Sequence, residues 1–133
     1  MLAFRAAQVS LRAGDVSAVL DWLAHADADA ASALHGRVDL GRAAVAGHSF
    51  GGAAAAAASQ REPRLRAAVL LDAWQWPLGA AGAAAGLPCP ALLFESTAFL
   101  GDRDAFCAFN SRMSSGTRCF GDVMLFTAHA MRC

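Results

Sequence analysis

Residues 44–52, Ala44-Val45-Ala46-Gly47-His48-Ser49-Phe50-Gly51-Gly52, decide how this chain is read. They spell G-x-S-x-G with one further glycine, after an apolar run of strand length and before an alanine-rich run. Strand, glycine-flanked serine and helix, in that order, make the pattern of a nucleophile elbow. The turn there is so tight that the serine backbone is strained and its neighbours cannot carry bulky side chains. On this reading Gly47 and Gly51 let strand and helix approach each other, and the Ser49 hydroxyl stands free at the sheet edge. The backbone N–H of Phe50, opening the helix, is aimed where an oxyanion would form. Without the flanking elements the same letters would describe only a glycine-rich turn.

Working outward, four short apolar runs cover residues 43–46, 67–71, 91–94 and 123–126, each the length of a strand buried on both faces. Residues 51–60, between the first two, are an almost pure helix former, ended by Glu62-Pro63-Arg64. Residues 102–113 suit a second helix before the last run. Upstream, Val16, Val19, Leu20 and Leu23 recur at three and four residues, as on a helix lying over a sheet, with Asp15 placed to cap it. Residues 1–14 read as a further amphipathic helix. Residues 27–41 read as a loop with little order of its own, and 79–86, nearly all Ala and Gly, as a flexible connector. The alternation implies an α/β fold, a mostly parallel sheet of about four strands with helical crossovers.

Composition sets limits. With 133 residues the chain holds at most one small domain. A formal net charge of zero argues against nucleic acid as the main partner. The 56% apolar fraction overstates the core, because alanine buries little area. Lys, Ile and Tyr are absent and all eleven basic residues are Arg, which speaks of coding bias more than of physics. No apolar stretch reaches the ~18–20 residues of a membrane span. No signal-peptide core stands at the N-terminus, so a cytoplasmic location is expected if Met1 is the true start. Cys89, Cys107, Cys119 and Cys133 show no paired spacing, so free thiols are expected and a metal site is not.

A serine nucleophile needs a base, and the base needs a group to orient it. In this architecture the chain order is serine, acid, histidine, each on a loop at the C-terminal edge of a strand. His25 and His35 precede the serine. His48 adjoins it on the elbow, where consecutive side chains diverge. His129, just past the last apolar run, is the expected base. The acid is open at this point: Asp72 closes the second apolar run, and Asp102 and Asp104 follow the third. Asp102 and Asp104 also suit the start of an exposed helix.

The combination of residues 44–53 with Leu71-Asp72-Ala73-Trp74 and Pro77-Leu78 resembles the platelet-activating factor acetylhydrolases, the calcium-independent, lipoprotein-associated serine phospholipases of the α/β-hydrolase superfamily. The likeness runs on through Pro90-Ala91-Leu92-Leu93-Phe94 to His129, and upstream takes in residues 18–23 and Val38-Asp39-Leu40. The elbow is shared with many hydrolases; L-D-A-W-x-x-P-L is far more specific. The resemblance implies that Asp72 is the acid and His129 the base. It implies that Ser49 attacks a short or oxidised sn-2 acyl ester of a glycerophospholipid, with no metal or organic cofactor. It also implies that Trp74 and Trp76 wall the acyl pocket or meet a lipid surface, although packing in the core is the commoner role for an indole.

Such enzymes take a second oxyanion N–H from a loop near an H-G pair after an early strand. His35-Gly36 comes too late in the chain for that. The chain is therefore expected to be the C-terminal catalytic part, residues 1–133, of a partial α/β-hydrolase domain lacking the N-terminal half of its sheet. The strand before Ser49 would then be an exposed apolar edge. Two other readings stand beside this one: a generic carboxylesterase or acyltransferase with Asp102 or Asp104 as the acid, and a truncated inactive relative serving as an interaction module.

Overall fold

The computed structural model describes residues 1–96, 117–120 and 123–128, the last two groups as strands. Helix α1 spans Leu2–Ala28 and helix α2 Phe50–Arg61. Strand β1 is Ala44–His48, β2 Ala67–Leu71, and β3 Ala91–Ser96. A short helix α3, Gly79–Ala85, lies between β2 and β3. Strands β4 (Thr117–Phe120) and β5 (Val123–Ala128) complete a five-stranded sheet in the order β1-β2-β3-β5-β4. The α/β class is as expected. Strands β1, β2 and β3 are parallel, His48 opposite Leu71 and Leu71 opposite Phe94.

The run at 123–126 is a strand, but β5 runs antiparallel to β3, with Ser96 opposite Val123 and Ala91 opposite Ala128. It also pairs antiparallel with β4, a strand the sequence reading did not foresee. Phe120 faces Val123, so two residues, Gly121 and Asp122, join the strands. Antiparallel neighbours need only such a short link, whereas a parallel pair needs a crossover of a dozen residues or more. The helix expected at 102–113 lies outside the described residues.

Helix α2 explains the alanines. Residues Gly52 to Ser59 are all buried, because α2 lies between two apolar clusters. Ala55 and Ala56 pack with Ala68, Leu70, Ala73, Cys89, Ala91 and Leu93 of the sheet side. Ala53, Ala57 and Ala58 pack with Val9, Ala13, Leu20 and Leu65 on the α1 side. Only small side chains allow one helix to be approached this closely from two directions. Cys89 is buried and free; the other three thiols are outside the residues whose side chains are described.

Several local expectations change. The 27 residues of α1 are one unbroken helix, so Asp15 caps nothing and instead pairs with Arg12 at 2.7 Å. The inward stripe is Val9, Ala13, Val16, Leu20 and Leu23, while Val19 faces outward. The segment after α1 is ordered by Asp27, whose Oδ1 accepts the N–H groups of Arg37 (2.8 Å) and Val38 (2.9 Å). Residues 79–85 are helix, not connector, because the Gln60 side-chain amide donates to the carbonyls of Gly82 (2.7 Å) and Gly86 (2.8 Å).

Glu62, buried after α2, receives Arg64 Nε at 2.7 Å and Arg64 Nη2 at 2.6 Å, and Arg64 Nη1 reaches Asp21 of α1 at 2.7 Å. The hydrogen bonds from the Arg64 side chain lead the causes that hold the Glu62 carboxyl down at about 2. Among the described strands β1 stands at the edge of the sheet, as expected, and an apolar groove of about 510 Å³ runs beside it between α1 and α2.

Candidate active site

The site stands at the C-terminal edge of the parallel strands. Ser49 joins β1 to α2 with φ 53° and ψ −118°, and Asp72 follows β2 with φ 41°. They are the two non-glycine residues at positive φ among the described residues. Such backbone costs about 1–3 kcal/mol per residue and persists only where its surroundings enforce it. Here both fall on facing positions of neighbouring strands, about 4.8 Å apart in backbone spacing.

The ladder shows what enforces the strain. Ser49 N–H donates to the Leu71 carbonyl at 2.9 Å, continuing the β1–β2 pairing one rung beyond His48. The Ser49 carbonyl then accepts from Trp74 N–H at 2.9 Å, besides Gly52 N–H of α2 at 3.0 Å. The elbow and the loop after β2 are thus stitched together through one carbonyl. A Cβ on Gly47 would run into the Gly51 carbonyl, and one on Gly52 would come within 2.5 Å of Ala73 Cβ. A Cβ on Gly51 would meet nothing within 4 Å. Of the two glycines given steric roles from sequence, Gly47 has one. The other belongs to Gly52, not Gly51.

Phe50 is the first residue of α2, so its N–H is among the four that have no intrahelical partner. No acidic residue occupies the first turn, and Ser49 does not spend its side chain on capping the helix. The positive end of a 12-residue helix therefore begins directly after Ser49. The Phe50 ring turns toward α1, where the Arg5 guanidinium lies 5.7 Å from its centroid.

Asp72 N–H donates to the Phe94 carbonyl at 2.8 Å. In an unbroken parallel ladder the next bond would run from Ser96 N–H to the Asp72 carbonyl. The positive φ turns that carbonyl away, and the Asp72 side chain takes its place. Oδ1 accepts Ser96 N–H at 2.6 Å and Oδ2 accepts the Ser96 hydroxyl at 2.9 Å. The sequence reading missed Ser96 because it ended the third strand at residue 94. The polar pair Glu95-Ser96, directly after that run, was the available signal.

Ser49 and Asp72 are therefore brought together. His48 is exposed on the elbow. Trp74 is half-buried and Trp76 is 44% exposed; neither belongs to the buried clusters, so the core role expected for the indoles falls away for Trp76. His129, Asp102 and Asp104 lie outside the described residues. Strand β5 passes Ser96 at Val123 and reaches Ala91 at Ala128. Among the described residues no group of three or more His, Cys, Asp or Glu side chains stands together. No helix among them is long and apolar enough to cross a membrane.

Comparison with known proteins finds esterases among the relatives. Platelet-activating factor acetylhydrolase of Gallus gallus is 39% identical over 66 residues, 50% of this chain and 16% of the relative. Cutinase 2 of Thermobifida cellulosilytica is 39% identical over 67 residues, 50% of this chain and 24% of its own length. Cutinase est1 of Thermobifida alba is 37% identical over 67 residues and is covered to 22%. The chain thus spans a quarter or less of these relatives. The family model described as platelet-activating factor acetylhydrolase, isoform II, matches residues 3–109, a span that includes Ser49, Asp72 and Ser96 and stops before His129. With its strained serine, its facing aspartate and most of its length inside that match, the chain belongs to the isoform II platelet-activating factor acetylhydrolase family.

Proposed function

We propose that this chain carries the nucleophile and acid of a serine ester hydrolase that cleaves short or oxidised sn-2 acyl esters of glycerophospholipids. Ser49 Oγ attacks the acyl carbonyl while the base, assigned to His129 on chain order, takes its proton. The oxyanion forms beside Phe50 N–H at the α2 N-terminus. Collapse expels the lysophospholipid alkoxide, which takes the proton back from the histidine, and water then hydrolyses the acyl-enzyme by the same steps. Asp72 orients the histidine and stabilises its charge. No metal or organic cofactor enters these steps. The observation that carries the reading is the pair of positive-φ residues, Ser49 and Asp72, on facing ends of β1 and β2. Trp76, with its indole 44% exposed beside the Asp72 loop, suits contact with a lipid surface.

A second reading is favoured by the cutinases among the relatives: a carboxylesterase of the same mechanism with a wider choice of acyl ester. Acetate release from a 1-alkyl-2-acetylglycerophosphocholine, set against hydrolysis of p-nitrophenyl butyrate, separates the two. The first reading expects the phospholipid to be preferred at least tenfold in kcat/KM. Turnover of the nitrophenyl ester alone would overturn it and leave the second. Neither substrate turning over, in protein with an intact melting transition, would leave the interaction-module alternative.

A further inference from the structure

We propose that Ser96 is a positioning residue for Asp72, holding the carboxylate through two hydrogen bonds in the orientation that the catalytic histidine needs. This rests on the reading of Asp72 as the acid. The two bonds come from one residue and go to different oxygens: Ser96 N–H to Oδ1 at 2.6 Å and Ser96 Oγ–H to Oδ2 at 2.9 Å. A carboxylate so gripped cannot rotate about its last torsion, because each oxygen is tied to the end of β3. Each oxygen has room for about two hydrogen bonds. One is taken by Ser96, which leaves one free on each oxygen for an imidazole N–H.

The arrangement is built into the sheet. Asp72 N–H is fixed to the Phe94 carbonyl at 2.8 Å, and the positive φ of Asp72 substitutes its side chain for its carbonyl in the ladder. Ser96 in turn is a register position of β3, facing Val123 of β5. A purely structural serine at a strand end would satisfy a backbone carbonyl or water; this one spends both its donors on the proposed catalytic carboxylate. Replacing it with alanine keeps the bond to Oδ1 and releases Oδ2, so the acid stays in place and loses its orientation.

The test follows the rate of Ser49 phosphonylation by a fluorophosphonate in the full-length polypeptide, from pH 5 to 9. Ser96→Ala is expected to react about 10- to 100-fold more slowly, the range of one hydrogen bond to a charged group. Ser96→Thr, which keeps the hydroxyl, should recover to within about threefold of the parent. In an Asp72→Ala background the Ser96→Ala change should add no further loss. If Ser96→Ala fails to fold, Ser96→Cys, similar in size with a weak donor, takes its place with the same expectation. A slow Asp72→Ala beside a Ser96→Ala at the parent rate overturns the assignment of Ser96 while the acid stands. Independent, multiplying losses, or a Thr variant as slow as Ala, overturn it as well. Asp72→Ala at the parent rate sinks the underlying reading of the acid, and Ser96 with it.

Discussion

Replacing Gly52 with alanine tests how the elbow is assembled. The new Cβ would lie 2.5 Å from Ala73 Cβ, 2.8 Å from Ala73 Cα and 3.2 Å from the Gly47 carbonyl oxygen. Carbon atoms in contact sit about 3.5–4.0 Å apart, so α2 and the loop after β2 must separate by about 1 Å. Ala73 cannot yield easily. It lies between Asp72, bonded to Phe94 and Ser96, and Trp74, bonded to the Ser49 carbonyl. Overpacking of this kind costs about 1–3 kcal/mol, which lowers the melting temperature by roughly 3–12 °C for a chain of this size. A displacement of about 1 Å between nucleophile and acid should also slow Ser49 phosphonylation by up to about 100-fold. Gly51→Ala is the control. Its Cβ would meet nothing within 4 Å, so the gain in helix propensity, about 0.5–1 kcal/mol, should raise the melting temperature by a few degrees. Calorimetry and the labelling rate read both variants. If Gly52→Ala melts with the parent, or Gly51→Ala is the worse of the two, the close approach of α2 to the Asp72 loop is wrong.

Glu62→Gln tests the link between α1 and the end of α2. The Glu62 carboxyl is held at about 2 against 4.5 for a free side chain, so its contribution is present at pH 5 and above and is lost as pH falls through about 2. The variant should melt below the parent at pH 7, and the gap should close between pH 5 and pH 2; a gap constant with pH would contradict the pairing with Arg64. For the acid, Asp72→Asn should lower the labelling rate by about 10⁴-fold, as loss of the orienting carboxylate does in related triads, while Asp104→Asn leaves it unchanged. The reverse result would move the acid to Asp104. His129→Ala should abolish labelling at neutral pH; unaltered labelling would place the base elsewhere.

The parts of the fold that were legible in sequence are those written by local composition. The runs that became β1, β2 and β3 are apolar and bounded by turn residues, and the alanine run of α2 has one strong propensity. What was not legible depends on distant partners. Residues 79–85 carry equal licence for connector and helix, and the carbonyl contacts from Gln60, 22 and 26 residues earlier, fix the helical form. Asp15 looked like a cap because it precedes the periodic run that starts at Val16, yet α1 runs through it without interruption. At the site, Ser49 was readable from its motif and Asp72 from its place at the end of an apolar run. Ser96 was not, since its meaning comes from a bond across 24 residues. Gly51 and Gly52 are indistinguishable as letters, and only the approach of Ala73 tells them apart.

The central claim is that Ser49 is an activated nucleophile on a strained turn. Mass spectrometry of the folded protein after fluorophosphonate treatment tests it most directly. The account predicts one adduct per chain, on the peptide containing Ser49, absent from Ser49→Ala and from heat-unfolded protein. A folded protein that takes up no label at Ser49, or labels equally after unfolding, would contradict it.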